Sequence, residues 1–390
     1  MNLKLKNTPE QIELIKAMGS RDALVSREAQ EAFAAFLGPV IMQVIEHAGT
    51  ASAFYQDTTY DEDDSPSYPL DLYYNEGEGH VTVWSQNMAG GLPSSEVSGM
   101  KEMKISTYRL DSAVSFNKRY ARRSRLEIIS RAVERMAQEV LIKQERNAWA
   151  VVLKALAEGS TTINKGDALK HLFHSGTGGT TVAEFNMDIM NLLMTRMTRI
   201  GESFAGGTPS NGGQFGITDM YVSPETMEKI RSMSYQHIGY GDADGDPAHS
   251  VSRTVSNVPE SVKEDIWRSA GMASIWGVTL HELIELGKGH KYTKLLDDFT
   301  SGASIPDAVS TTSSEVTFAN ATHDVAIAID ASKGAFIRAL ARDADSGSTF
   351  TALPDDQWNL NRLDKAGFYG HLEEGRVCID SRAIAGVVLA

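Results

Sequence analysis

Two short runs in this chain carry residue types that could hold a metal. His281-Glu282-Leu283-Ile284-Glu285 follows the zinc pattern His-Glu-x-x-His up to its fifth position, where Glu replaces His. That pattern works on a helix, and the surrounding Ser274–Leu286 reads as a strand, so a structural role is favoured over a metal centre. Asp242-Ala243-Asp244-Gly245-Asp246 spaces three carboxylates as a calcium loop does. Pro247 stands where such a loop needs Gly, and Arg253 where it needs a bidentate Glu, so the run reads as a solvated acidic loop.

Other candidates fail in similar ways. His171 and His174 lie three apart with no third ligand close in sequence, and read as loop histidines. Gly176-Thr177-Gly178-Gly179-Thr180-Thr181 lacks the third glycine of a dinucleotide fingerprint and the Gly-Lys-Ser/Thr of a phosphate loop, so it reads as a turn. No Gly-x-Ser-x-Gly elbow occurs, which leaves a hydrolase without its nucleophile. Cys378, within Arg376-Val377-Cys378-Ile379-Asp380, reads as a buried strand position. The basic run Lys118–Arg125 could meet phosphate. In a chain with 51 acidic and 37 basic residues, a net charge of −14, it is better suited to acidic protein neighbours. No residue is assigned a catalytic, cofactor-binding or metal-binding role, and no cofactor is expected.

The elements that would carry these residues are unusual in proportion. From Ser124 to Gly159 one helical pattern runs without Gly or Pro, a rod of roughly 50 Å. Ser124 and Glu127 form a capping box at its start, and Gly159 is placed for a left-handed stop. Leu126, Ile129, Val133, Met136, Val140, Trp149, Val152 and Leu156 recur at steps of three and four and predict one buried stripe. Glu127/Arg131, Arg135/Glu139 and Glu139/Lys143 are expected as ion pairs on the wet face.

Around this rod, residues 8–18 and 26–46 are helical, the second broken at Gly38-Pro39, and make a poor core alone. Pro69–Tyr74 and His80–Trp84 form a hairpin above the acidic stem Asp61–Asp64. Lys104–Phe116 is a strand; Asn186–Ile200 is a Met-rich amphipathic helix; Gly201–Gly216 is a loop. Tyr221-Val222-Ser223 is a strand end with Pro224 opening the next helix, and further strands are expected at Val325–Ile329 and Arg376–Leu389. Helices and strands do not alternate regularly, so the class is α+β. At 390 residues, two or three lobes are expected. One cysteine, no apolar leader and no apolar run of about 20 residues point to a soluble cytoplasmic product without a membrane span.

In this order, the strand Tyr108–Phe116, the helix Arg125–Ala157 with Gln144-Glu145-Arg146-Asn147-Ala148-Trp149, the step Tyr221–Arg231 and the final strand Val377–Val388 resemble the major capsid proteins of tailed bacteriophages. The resemblance implies an N-terminal arm at 1–52, an extended loop at 53–104, a peripheral domain at 105–185 with a spine helix at 124–158, an axial domain at 186–354, and C-terminal strands at 355–390 returning to the peripheral/axial core. It implies hexamers and pentamers in an icosahedral virion shell around double-stranded DNA, assembled in the host bacterial cytoplasm, without catalysis. Partners implied are a portal, a decoration protein and a separate scaffolding protein, the last because the arm is expected to begin almost at Met1 without a fused scaffolding region. Lys101 and Lys104 lie at the base of the loop, but no Lys–Asn–Glu cross-linking set matches. Tyr73, Tyr74 and Trp84, as large rings, and Arg122 and Arg123, as cations, are the expected inter-subunit contacts. An encapsulin-like compartment shell and a metal-dependent enzyme are the alternatives.

Overall fold

The computed structural model describes residues 8–47, 49–61, 64–69, 102–123, 126–162, 168–175, 182–205, 216–233, 260–269, 274–307, 315–342, 349–354 and 363–390. The chain opens with α1 (Pro9–Met18), α2 (Ala23–His47), β1 (Tyr55–Asp61), β2 (Ser67–Pro69), β3 (Glu102–Lys104), β4 (Tyr108–Asn117), α3 (Lys118–Arg122) and α4 (Leu126–Glu158). Then come β5 (Ser160–Thr162), β6 (Ala168–Lys170), β7 (Leu172–His174), α5 (Met187–Ala205), β8 (Asp219–Val222), α6 (Pro224–Met233), α7 (Glu260–Arg268), β9 (Ser274–Ile275) and β10 (Val278–Glu282). The last third holds α8 (Lys291–Thr300), β11 (Ser304–Pro306), β12 (Glu315–Thr317), β13 (Asp324–Ile329), β14 (Phe336–Arg342), β15 (Phe350–Pro354), β16 (Lys365–Cys378) and β17 (Ile384–Leu389). The class is α+β, and the chain divides into two compact units.

The first unit takes in Met1–Leu72, Gly99–Val151 and Phe336–Ile379. Its backbone is β16, a 14-residue strand. One edge pairs antiparallel with β4 from Lys365 to Glu374; the other pairs with β15 and then with β14, beside which β1 runs parallel. β4 alternates half-buried and exposed residues, the period-2 signature of a sheet with one wet face. The dry face carries Phe116, Phe368 and Leu372, and onto it pack Ile15, Met18 and Phe33 of the N-terminal helices and Ile129, Val133, Met136 and Val140 of α4. Phe33 and Phe368 meet at 5.2 Å. Gly370 lies beneath the Phe350 ring, where a Cβ would sit 2.4 Å from Cζ, so no larger residue fits there.

Helix α1 starts as the sequence dictates: Thr8 Oγ1 accepts from Gln11 N at 3.4 Å, and Pro9 occupies the first turn, where its missing N–H costs nothing. Two expectations change here. The first helices do not make an isolated arm over their described length, because Ile15, Met18, Ala29 and Phe33 are part of this unit's core. Nor does Gly38-Pro39 break α2, which continues as one helix to His47. A helix interior tolerates proline when the lost hydrogen bond is its main cost and the flanking turns hold the axis.

The expected stripe of α4 is buried: Ile129, Val133, Met136, Val140, Trp149, Val152 and Leu156 are each at most 5% exposed. The side chain of Leu126 and the capping box of Ser124 and Glu127 lie outside the described residues. Gly159 does follow the helix, but its φ is not positive. Glycine is required because a Cβ would lie 2.6 Å from His171 Nδ1 and 2.8 Å from the Ala155 carbonyl. The ion pair formed within α4 among the described residues is Lys154–Glu158 at 2.6 Å; Arg135, Glu139 and Lys143 remain solvated. Long exposed side chains gain little from such pairing, so its absence is physically unremarkable.

The second unit takes in Tyr73–Ser98, Val152–Ala335 and Asp380–Ala390. Its mixed six-stranded sheet runs β7-β17-β13-β8-β10-β9. β13 and β17 are buried at every position, which explains their unbroken apolar runs. Met190, Leu193, Met197 and Ile200 of α5 and Met227 and Ile230 of α6 pack with this sheet in one core. Ser223 caps α6: its Oγ accepts from Thr226 N at 3.1 Å, and Pro224 sits at the first helical position as expected. The expected strand at Ser274–Leu286 is two strands around a Trp276-Gly277 turn with positive φ at both residues, the geometry of a tight hairpin. The expected terminal strand at Arg376–Leu389 is likewise two, split by a short 3-10 turn at Ser381–Ala383. No described helix is long and apolar enough to cross a membrane.

Candidate functional site

The structure takes apart each candidate metal run that falls on described residues. His281 lies on β10, which ends at Glu282, and Glu285 falls in the turn beyond it, so the two do not stand one helical turn apart on a common face as the zinc pattern requires. The imidazole is engaged elsewhere: Nε2 lies 2.8 Å from Asp219 Oδ1, and the ring stacks on Tyr221 at 4.9 Å and 17°. Thr218 Oγ1 donates to the other Asp219 oxygen at 2.8 Å. Among the described residues, no three His, Cys, Asp or Glu side chains converge as a metal site. The Asp242–Asp246 and Gly176–Thr181 runs lie outside the described residues.

His174 ends β7, and His171 lies in the bend between β6 and β7; both are fully buried, which a loop reading does not suggest. His171 N donates to the Gly159 carbonyl at 3.0 Å, and Gly386 N donates back to the His171 carbonyl at 3.0 Å. Burial pushes the His171 imidazole down to about 4. The unfolded chain therefore takes up a proton near pH 6.5 that the folded chain refuses until about pH 4. The ring's contribution to stability is intact above about pH 6.5 and is lost as pH falls toward 4, the loss reaching about 3 kcal/mol at the acid end. We expect the His171 Cε1–H resonance to titrate with a midpoint near pH 4; a midpoint above pH 6 would show an accessible ring.

Cys378 ends β16 half-buried, on a strand as expected but less enclosed. The basic run is divided by the fold. Lys118 is buried, its Nζ donating to Ser26 Oγ at 3.2 Å. Arg122 Nε donates to the Gly19 carbonyl at 2.7 Å, and its guanidinium pairs with Asp364 at 2.9 Å, which ties α3 to its own unit. Arg119 and Arg123 are exposed. Of the five expected contact residues, Arg122 ends α3 and Arg123 caps it, while Tyr73, Tyr74 and Trp84 lie outside the described residues. The expected hairpin at Pro69–Tyr74 and His80–Trp84 lies, from residue 70 on, outside the described residues; the described β2 pairs antiparallel with β3, with Ser67 opposite Lys104.

Two polar constellations escaped sequence reading. Glu145 accepts from Ala51 N at 3.0 Å, from Trp149 Nε1 at 3.2 Å and from the Thr50 hydroxyl, fixing the chain entering β1 against α4. Its i,i+4 relation to Trp149 was the available signal. Glu374 and Arg376, two apart on one face of β16, are buried together beneath Gln144 of α4. Nothing here resembles a nucleophile aligned with a base: the constellations tie strands to helices.

No family model and no curated protein matches the sequence. Among solved structures, the chain is similar to a subunit of the capsid of cyanophage P-SCSP1u, with 12% identity over 88% of each chain and a TM-score of 0.48. It is similar to the capsid of a native GTA particle, with 14% identity over 88% of this chain and 91% of that one, TM-score 0.46. The SrpI encapsulin of Synechococcus elongatus PCC 7942 gives 10% identity over 74% of each chain, TM-score 0.36.

Proposed function

We propose that this chain is the structural subunit of a closed icosahedral shell of the tailed-phage major capsid type, assembling as hexamers and pentamers and enclosing double-stranded DNA. One observation carries the reading. Three of the four segments on which the sequence resemblance rests take the predicted element, in order: Tyr108–Phe116 within β4, Leu126–Ala157 within α4 and Tyr221–Arg231 as the β8-to-α6 step, while Val377–Val388 is divided between the end of β16 and β17. The subunit works through rigid placement, with α4 packed along the dry face of one sheet and a separate mixed sheet in the second unit. Beyond β1, which belongs to this subunit's own sheet, the rest of the 53–104 segment reaches a neighbouring subunit with Tyr73, Tyr74 and Trp84 as anchors, and Arg123 faces acidic neighbours. A separate scaffolding protein, a portal and a decoration protein complete the assembly, which takes place in the host bacterial cytoplasm.

Negative-stain microscopy of the concentrated chain tests this. Rings of five and six subunits or closed shells are expected, and shells that retain DNA separate the virion from the enzyme-filled compartment. A monodisperse monomer at every concentration overturns the proposal.

A further inference from the structure

Between Arg131 and Arg146 the exposed face of α4 carries Arg131, Arg135, Lys143 and Arg146 against one exposed acid, Glu139, in a chain of net charge −14. Successive helical residues turn by about 100°, so Arg131, Arg135, Ile142 and Arg146 fall within about 60° of one another on the helix surface, along about 22 Å of axis. All four are exposed, Ile142 by 42%. Lys143 and Glu139 flank them. Glu139 is the one exposed acid between Arg131 and Arg146, and no ion pair joins it to Arg135 or Lys143. Glu145, which could neutralise Arg146, is turned to Ala51 N and Trp149 Nε1 instead. The fold thus withdraws an acid from the strip and leaves three guanidinium groups in water.

We propose that this strip docks an acidic amphipathic helix of a partner protein, its carboxylates spaced to meet Arg131, Arg135 and Arg146 and one apolar side chain seated on Ile142. Charge complementarity selects an acidic partner, since guanidinium forks match carboxylates in bidentate geometry. Ile142 selects protein over nucleic acid. A duplex would offer phosphates to the arginines and leave the isoleucine against water, whereas a helix in a groove uses apolar anchors between its charges. The proposal does not depend on shell formation and can be tested on the dispersed full-length chain.

The probe is a labelled synthetic helix of roughly twenty residues, with Glu in the register of the three arginines and Leu on the adjoining row. Fluorescence anisotropy at low ionic strength should show saturable binding. Replacing Arg131, Arg135 and Arg146 together by Gln should weaken it at least roughly tenfold, and Ile142→Ser by roughly threefold or more. All four sites are exposed, so both variants should keep the wild-type melting temperature. A double-stranded DNA of similar length should bind more weakly and be indifferent to Ile142→Ser. Absence of peptide binding, insensitivity to either substitution, or tighter binding of the duplex each overturns the proposal.

Discussion

Val140→Asp yields insoluble or unfolded chain, while Glu139→Gln one residue away changes melting by less than measurement error. Val140 is 5% exposed, in the core where α4 meets Phe368 and Leu372 of the sheet. Burying a valine contributes about 1.5–3 kcal/mol. The substitution removes that and places a carboxylate where no cation is in the cluster, at a further cost of several kcal/mol. A domain holds only about 5–15 kcal/mol in total, so the two losses together consume most of it. Glu139 is exposed and makes no ion pair with Arg135 or Lys143, so its neutralisation removes nothing structural. Soluble expression, circular dichroism and thermal melts of the two variants provide the comparison; a soluble, cooperatively melting Val140→Asp chain would falsify the burial assignment of α4.

What the sequence disclosed follows from where periodicity is uninterrupted. α4 was legible because nothing between Leu126 and Glu158 breaks its apolar step, and α6 because Ser223 and Pro224 are chemically suited to open a helix. β13 was legible as a short apolar run. The longest strand was not. Lys365–Gly375 contains two glutamates, a histidine, a lysine and three glycines, which read as surface, yet β16 occupies it with strands paired along both edges. Two of its glycines, Gly370 and Gly375, answer to Phe350 and Ile105, which are distant in sequence, so no local pattern could reveal them. The same limit explains His171: its burial depends on Gly159 and Gly386, and only the fold brings those together. Chemistry was legible chiefly as failed patterns, since a motif can be rejected at one ligand position without knowing the fold. The strip on α4 needed coordinates, because the pairing expected from spacing alone would have neutralised it.

Arg376→Met lowers the stability of the first unit by about 3–5 kcal/mol, and adding Glu374→Gln restores most of it. The two side chains are 4% and 0% exposed, and the guanidinium meets the carboxylate at 3.2 and 3.3 Å. Tyr108 donates to Glu374 at 2.7 Å and Gln144 at 3.0 Å, while the Arg376 guanidinium lies 4.9 Å from the Tyr55 ring centre. Tyr55 in turn donates to the Ala148 carbonyl at 3.1 Å, and burial raises both tyrosines well above their ordinary range. Glu374 keeps the Arg376 guanidinium charged, raising it despite the opposing effect of burial. Removing Arg376 alone leaves the carboxylate with two neutral donors and no counter-charge, which is the costly case, whereas removing both charges leaves an uncharged core. Glutamine at 374 retains an acceptor oxygen for Tyr108 and Gln144, so the double variant strands neither. Urea melts at pH 7 for the two single variants and the double variant give the coupling directly. If the two substitutions simply add, or if Arg376→Met melts like wild type at pH 7, the buried pair is not what joins α4 to β16.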